Sequence, residues 1–214
     1  MQEELKKLEE ALKKVEDEMF KMWVEAEETG IEHGFLVCDS EVGGRCRGEF
    51  MCATIEDCGG RECTAVVHTH PSGLLELETV EPSLLDLYSA SRMKCRYLCT
   101  IGVEEQPVHG EKGLRVKVVC FKPPEDHPVF RELDEIKEKL ERGEASKEDM
   151  ETWEWYTAYL SPRETGIPYE RVFEMPLTAA LLPPWGFTFN KLPDIMKELR
   201  KVWKEKGIEA VTQD

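Results

Sequence analysis

The sequence has few uncharged amide side chains and no long apolar run. Asparagine occurs once, at Asn190, and glutamine three times, whereas lysine and glutamate are abundant. This bias is typical of proteins from very hot environments. A transmembrane helix needs about 18 consecutive apolar residues, and no such run occurs. The first residues, MQEELKKLEEALKK, also lack the apolar stretch of a signal peptide. We therefore expect a soluble, cytoplasmic protein with no membrane partner.

Positive charge is scarce and scattered along the chain. The formal net charge is -16 and the isoelectric point is about 4.9, and no block of lysine and arginine occurs. Such a surface repels the phosphates of nucleic acids. Nucleic acid is therefore an unlikely partner by this criterion, unless the folded chain gathers its basic residues on one face.

The N-terminal segment carries an apolar stripe. Its members recur at alternating steps of three and four residues: Leu5, Leu8, Leu12, Val15, Met19 and Met22. This spacing predicts one long amphipathic helix over residues 3–28, with Thr29 and Gly30 ending it. We expect the stripe to pack on the chain's own domain. The alternative is a coiled-coil contact that forms a homodimer.

The middle of the chain alternates strand and helix patterns. Five segments rich in β-branched and apolar residues predict strands: 33–41, 45–55, 62–71, 95–105 and 113–122. The glycines of GGR (43–45) predict the turn of a hairpin between the first two strands. Pro82 opens a predicted helix that runs to about Met93. This mixture indicates an α/β (α+β) domain that ends near Lys122.

The last part of the chain has a different composition. It predicts three helices separated by segments rich in proline and aromatic residues: 127–142, 147–160 and 192–207. Four aromatic residues predict a packing face rather than a ligand cage: Trp153, Trp155, Tyr156 and Tyr159. We therefore divide the chain into an N-terminal helix (1–30), a central domain (31–124) and a helical C-terminal extension (125–214).

The strongest chemical pattern lies at the end of the third predicted strand, in TAVVHTHPSG. Residues i and i+2 of a strand point the same way, so His68 and His70 present both imidazoles on one face of the sheet. Ser83 and Asp86, at i and i+3 in the first turns of a helix, also share a face. Two histidines and one aspartate make three ligands for a borderline metal, such as zinc, iron or cobalt, with a fourth position left for water. Catalytic zinc sites have this composition, whereas structural sites are closed.

This pattern resembles a known family of enzymes. HTHP (68–71) followed by Ser83-x-x-Asp86 is similar to the JAMM motif of the JAB/MPN⁺ zinc metalloproteases, in a prokaryotic, archaeal and thermophilic form. The resemblance implies a JAB/MPN-like (cytidine-deaminase-like) central mixed sheet flanked by helices. It also implies that His68, His70 and Asp86 bind Zn²⁺ and that Ser83 donates to the oxyanion of the tetrahedral intermediate.

The family's motif also contains a glutamate at the start of the first strand, which acts on a zinc-activated water as general base and then acid. Glu32 immediately precedes the first predicted strand and takes this position. Glu28 is the alternative if the preceding helix ends sooner. Glu25 and Glu27 lie a turn back in the helix, and Glu49 lies in the middle of the second predicted strand.

The loop between the second histidine and the serine departs from the family. The resemblance covers roughly residues 31–122, but twelve residues separate His70 from Ser83 where the family has seven. Pro71 and Pro82 bracket the extra length, so it can bulge outward without moving either ligand-bearing element. We expect it to rim the cleft, as a flap or as a strand that pairs with an extended peptide. An idle acidic loop is the alternative.

The resemblance implies a zinc peptidase or isopeptidase, similar to deubiquitinases. Its substrate and partner would be a ubiquitin-like modifier, or a protein that carries one, cleaved after the C-terminal Gly-Gly. One alternative is a non-catalytic MPN scaffold, but all five functional positions of the motif can be filled here. The other is a RadC-like protein associated with DNA, which HTHPSG alone suggests and the acidic charge disfavours.

The remaining cysteines and histidines predict no second site. Cytosolic thiols are normally reduced, although intracellular proteins of hyperthermophiles can carry disulfides. Four cysteines have spacings of six, six and five: Cys46, Cys52, Cys58 and Cys63. This is not the paired pattern of a zinc ribbon, and we favour buried thiols slightly over a disulfide. Three more lie in apolar strand patterns and are predicted to belong to the core: Cys95, Cys99 and Cys120. We expect His33 at the surface, and His109 and His127 in loops.

Overall fold

The structure is a computed structural model that describes residues 2–39, 41–47, 58–71, 80–108 and 111–177. Several predictions lie outside these residues. They are the second strand beyond residue 47, the loop at 72–79, the helix at 192–207 and the place of His109.

The strands within the described residues form one mixed sheet. Their bounds are β1 His33–Cys38, β2 Glu41–Arg47, β3 Cys63–Thr69, β4 Tyr97–Val108, β5 Glu111–Lys122 and β6 Glu170–Pro176. The order across the sheet is β2-β1-β3-β4-β5-β6. Only the β3–β4 pair is parallel among these neighbours, and a helix makes its crossover, as parallel pairing requires. The predicted mixed α/β class is therefore confirmed.

The helices cover both faces of this sheet. Their bounds are α1 Gln2–Lys14, α2 Glu16–Thr29, α3 Leu84–Arg92, α4 Pro128–Glu141 and α5 Lys147–Glu154, with a π-helical turn at Trp155–Tyr159. Side chains of α1 and α2 pack on one face, and side chains of α3 and α4 pack on the other. Among the described residues, none of the helices is both long enough and apolar enough to cross a bilayer.

The prediction of one unbroken N-terminal helix is wrong. The backbone leaves helical geometry at Val15 (φ -112°, ψ 14°), which separates α1 from α2. Leu12, Val15 and Met19 are nevertheless buried in a single cluster with Phe35 and the other side chains on that face of the sheet. An unbroken helix of this length would extend about 40 Å, so the break lets both halves pack on one sheet. The stripe belongs to the chain's own core, and the homodimer stays an untested prediction.

The first hairpin turns earlier than predicted. β1 ends at Cys38, and Asp39 has a left-handed φ of 48°. The glycines of GGR lie inside β2, so the prediction that they form the turn is wrong. A Cβ at Gly43 would lie 2.6 Å from Cys38 Sγ. Glycine is therefore favoured there, because the Cys38 sulfur, which is held in the disulfide with Cys58, occupies the space that a side chain would need.

The C-terminal extension contributes a strand that its sequence pattern does not predict. β6 pairs antiparallel with β5 and is the last strand of the sheet among the residues that the structure describes. Met175 and Leu177 are buried with the side chains that face α1 and α2. Phe130 and Leu133 of α4 are buried on the opposite face. Residues beyond 124 thus pack on both faces of the same sheet.

The predicted aromatic face of the C-terminal extension is only half right. Trp153 and Tyr156 pack against the core on the α3 side. Trp155 and Tyr159 are 55% and 64% exposed and contact each other, with ring centroids 5.6 Å apart. Residues three or four apart share a side of a helix, so the four aromatics form two pairs on different sides.

For Cys58 and Cys63 the prediction of free thiols is wrong, whereas the prediction that Cys95, Cys99 and Cys120 belong to the core is confirmed. The cysteines with described side chains are all paired. Three disulfides link them: Cys38–Cys58, Cys63–Cys95 and Cys99–Cys120. Cys99 and Cys120 lie directly opposite each other in the antiparallel β4–β5 pair, which brings their sulfur atoms together. Partners this distant in sequence cannot be identified from spacing alone.

Replacing Cys63 and Cys95 together by serine is expected to lower the free energy of unfolding by about 3–4 kcal/mol, because the disulfide restricts the unfolded chain. The bridge spans 32 positions of sequence, and the predicted ligands His68, His70 and Asp86 all lie within that loop. Denaturant unfolding of the oxidised proteins measures the difference. Under reducing conditions, wild type and variant should unfold at nearly the same denaturant concentration. Equal stability of the two oxidised proteins would contradict the prediction.

An ion-pair cluster ties β4, β5 and β6 together. The two terminal guanidinium nitrogens of Arg171, Nη1 and Nη2, donate to the Glu104 carboxylate at 2.7 and 3.0 Å, and Lys117 Nζ donates to it at 2.7 Å. The hydrogen bonds from Arg171, opposed by burial and reinforced by Lys117, lower the pKa of Glu104 from 4.5 to about 2. A carboxyl with a depressed pKa stabilises the fold above its unfolded value and loses that contribution as the pH falls through the folded value.

Replacing Glu104 by glutamine is therefore expected to lower the free energy of unfolding at pH 7 by about 2 kcal/mol, a figure discounted for the partly exposed arginine. The difference from wild type should shrink as the pH falls from 4.5 towards 2. Urea unfolding across this pH range measures it. Glu174→Gln is a matched control, since Glu174 contacts the same Arg171 but its side chain is 52% exposed. An equal loss in both variants would contradict the prediction.

Candidate metal centre

The histidines occupy the end of a central strand. β3 lies between β1 and β4, so its backbone position is fixed on both sides. Its even-numbered residues face α3, as the packing of Val66 in the cluster with Leu84 shows. His68 and His70 follow on this face. His70 N continues the parallel ladder by donating to Ile101 O at 2.8 Å.

The two imidazoles and one carboxylate converge. His68 Nε2 and His70 Nε2 are 2.8 Å apart. His68 Nε2 lies 3.2 Å from Asp86 Oδ1, and His70 Nε2 lies 3.2 Å from Asp86 Oδ2. The ligand atoms of all three residues lie within 4.8 Å of one another. We call these three residues the His-His-Asp site.

Asp86 is held in place by the start of its own helix. Ser83 is the N-cap of α3, so Pro82 lies before the cap, and the prediction that Pro82 occupies the first position of the helix is wrong. Asp86 N donates to Ser83 Oγ at 3.1 Å, and Ser83 N donates to Asp86 Oδ2 at 2.7 Å. These reciprocal bonds form a capping box, which the sequence S-x-x-D favours. The cap therefore orients the carboxylate towards the histidines.

Ser83 keeps a hydrogen-bond donor beside the site. Its hydroxyl oxygen acts as an acceptor in the cap. A hydroxyl has one donor and two acceptor positions, so the cap does not use the O–H group. The residue is exposed. It can therefore donate to a substrate oxygen while it caps the helix.

The electrostatics of the site favour an ionised Asp86. Burial by itself would raise the pKa of this carboxyl. The charge and hydrogen bonds of His68 and the hydrogen bond and charge of His70 outweigh burial and hold the pKa well below its usual value. Metal binding requires a deprotonated carboxylate, and the site supplies it.

Glu32 lies beside the His-His-Asp site. The antiparallel register places Gly34 opposite His68. This is the last pair of the β1–β3 register, and Glu32 lies two residues before Gly34, just outside β1. It is close enough to His68, His70 and Asp86 for their charges to act on its carboxyl. Burial raises the pKa of the Glu32 carboxyl, nearby Asp86 adds to the rise, and His68 and His70 oppose it. The predicted general base and the predicted ligands thus form one electrostatic group.

None of the other glutamates considered as the general base is placed beside the His-His-Asp site by the described residues. Glu25 Oε2 lies 4.0 Å from His33 Nδ1, on the side of β1 that faces α2. The side chains of Glu27 and Glu28, and the whole of Glu49, lie outside the described residues. The structure therefore brings Glu32 to the site and leaves the Glu28 alternative as a prediction.

His33 and His127 lie outside the site and make contacts that stabilise the fold. His33 is buried beneath α2, so the prediction of a surface histidine is wrong: the first residue of β1 already belongs to the covered sheet. His127 caps α4, where its Nδ1 accepts from Val129 N at 3.3 Å. The sequence HP at the start of a helical pattern is a signal for this cap.

A cluster of hydrogen bonds holds α3, the helix that carries Asp86, against α4. Tyr88 Oη donates to Asp134 Oδ1 at 2.8 Å, and Arg92 Nε donates to the same oxygen at 2.9 Å. Burial first, and then the hydrogen bond and charge of Asp134, raise the pKa of Tyr88, so it remains a neutral donor. These bonds restrict the helix that carries Asp86.

The arrangement fits a zinc ion. Two ligand atoms about 2.1 Å from a tetrahedral metal lie roughly 3.4 Å apart, close to the separations of 2.8–3.2 Å within the His-His-Asp site. The side chains of the three residues are only 10–17% exposed. Neutral imidazole and carboxylate also suit zinc chemically. His68, His70 and Asp86 can therefore hold a metal ion, although the donor set does not determine which metal.

Comparison with models of protein families, with curated proteins and with solved structures gives no match to this chain. The resemblance to the JAMM motif therefore remains a prediction, and it rests only on the residues of the motif in this sequence. The geometry of those residues bears on function independently of any relative.

Proposed function

We propose that this protein is a zinc-dependent peptidase or isopeptidase of the JAMM type. The observation that carries the proposal is the convergence of His68, His70 and Asp86, whose ligand atoms lie within 4.8 Å of one another, next to Glu32. Glu32 has a raised pKa because it is buried. A set of metal ligands beside a proton-transfer group with a perturbed pKa is characteristic of hydrolytic sites.

A bound zinc ion would supply a Lewis acid for the scissile carbonyl and lower the pKa of water to about 7. The chain's own residues perform the other tasks. Glu32 accepts a proton at its carboxylate as the nucleophile attacks, and then returns it to the leaving nitrogen. Its raised pKa brings the group closer to neutral pH, where such transfers are most efficient.

Ser83 supplies the remaining polar contact. Its hydroxyl donates to the oxygen that gains negative charge in the transition state, and one such donor contributes about a hundred- to a thousandfold in rate. The cap of α3 fixes the Oγ atom, so the donor is oriented before the substrate binds. We infer that the substrate is a ubiquitin-like modifier ending in Gly-Gly, or a protein joined to one, from the resemblance of the motif.

A fusion of a ubiquitin-like protein, through its C-terminal Gly-Gly, to a reporter tests this function. The wild type should release the reporter by cleavage after Gly-Gly, a chelator should abolish release, and added Zn²⁺ should restore it. The His68→Ala, His70→Ala double variant is the negative control. A metal-loaded wild type that cleaves neither peptide nor isopeptide fusions would contradict the proposal.

A further inference from the structure

Thr69 lies between the two histidines of the site, and its side chain is on the opposite face of β3. The residue is fully buried. Its hydroxyl makes two hydrogen bonds to one residue of β1: His33 N donates to Thr69 Oγ1 at 2.9 Å, and Thr69 Oγ1 donates to His33 O at 3.3 Å. A single side chain therefore holds both backbone polar groups of His33.

These bonds extend the connection between β1 and β3 towards the site. The register of the two strands runs from Cys38 to Gly34, which is opposite His68. His33 is one residue further, where β1 begins. The Thr69 hydroxyl thus fixes the backbone at the residue that directly follows Glu32. The backbone of β3 at the same point carries His68 and His70.

We propose that Thr69 is a positioning residue that sets the place of the Glu32 carboxylate relative to the His-His-Asp site. The inference rests on the proposed function, because it assigns Thr69 a role through Glu32. A valine at this position has nearly the same shape and also favours a strand. It has no hydroxyl, however, so the His33 N–H and C=O lose their hydrogen bonds to residue 69. Glu32 then loses its fixed distance from the ligands, while the ligands themselves remain in place on β3.

The effect on catalysis is expected in kcat. Thr69→Val should lower kcat about 10- to 100-fold with little change in KM, because small displacements of a catalytic group have effects of this size. Thr69→Ser, which keeps the hydroxyl, should retain most of the activity. Thr157→Val is a matched control, since it also removes a threonine hydrogen bond, to Trp153 O at 2.8 Å, but within a helical segment.

A double-mutant cycle separates positioning from general destabilisation. In the Glu32→Gln background, Thr69→Val should lower kcat much less than it does in the wild type. A readout independent of activity is the visible spectrum of the Co²⁺-loaded protein, in which a change in the surroundings of the metal shifts the absorption bands. Thr69→Val should shift the bands in the wild type and have little further effect in Glu32→Gln.

The outcomes distinguish this inference from the proposed function. Absence of a Co²⁺ spectrum in the wild type would overturn both. A normal spectrum and normal cleavage, with equal effects of Thr69→Val in both backgrounds, would overturn the role of Thr69 and leave the function standing. If Thr69→Val fails to fold by circular dichroism, Thr69→Ser and Thr69→Ala replace it in the same cycle. If Thr69→Ser does not keep the kcat and the Co²⁺ spectrum that Thr69→Ala loses, the inference is also overturned.

Discussion

Replacement of Glu32 by glutamine is expected to lower the rate of hydrolysis about 10²- to 10⁴-fold, the usual contribution of a positioned acid–base group. Glutamine has the same size but cannot accept and return a proton. Glu32 is not one of the three converging ligands, so the variant should bind as much metal as the wild type. Steady-state kinetics together with elemental analysis of the same preparations measure both properties.

Two further variants make this result specific. Glu25→Gln changes a neighbouring carboxylate that lies against His33, and it should leave kcat close to the wild-type value. Glu28→Gln tests the alternative general base. Loss of cleavage in Glu28→Gln with full activity in Glu32→Gln would reverse the assignment, and full activity in both would contradict acid–base catalysis by either residue.

Replacement of Asp86 by alanine is expected to abolish metal binding and also to destabilise the metal-free fold. The carboxylate is a predicted ligand and the acceptor for Ser83 N in the capping box, and loss of this one hydrogen bond costs about 0.5–1.5 kcal/mol. Asp86→Asn should also lose most of its metal affinity, because a neutral amide is a poor zinc ligand. Since its side-chain oxygen still accepts from Ser83 N, it should be more stable than Asp86→Ala. Unfolding after dialysis against chelator compares the two without a contribution from metal binding.

The chain offers a matched control for this comparison. α5 begins with the same capping box, formed by Ser146 and Asp149. Asp149→Ala should therefore destabilise the fold and leave the metal content unchanged. Metal loss in Asp149→Ala equal to that in Asp86→Ala would show that metal binding responds to general destabilisation. The assignment of Asp86 as a ligand would then fail.

Local patterns were sufficient to predict the parts of the site that depend on strand and helix periodicity. The i, i+2 spacing of His68 and His70 places them on one face, and S-x-x-D places Asp86 in the first turn of α3. Both follow from backbone geometry alone. The long connection between them did not prevent the convergence, since His70 and Asp86 lie 3.2 Å apart.

The features that the sequence did not predict depend on contacts between distant segments. The disulfide Cys99–Cys120 requires the register of β4 against β5. The burial of His33 requires α2 to cover the start of β1, and the role of Thr69 requires the end of β3 to lie beside that start. β6 is a short strand whose apolar side chains gain a partner only when β5 is in place. No local propensity specifies these pairings.

The metal content of the purified protein tests the central claim most directly. Wild type and the His68→Ala, His70→Ala double variant would be incubated with Zn²⁺, dialysed and subjected to elemental analysis, with His127→Ala as a histidine control at the cap of α4. The account predicts about one equivalent of zinc in the wild type and in His127→Ala, and none in the double variant. A wild type that retains no metal would contradict it, and the three residues would then be a hydrogen-bonded cluster without metal chemistry.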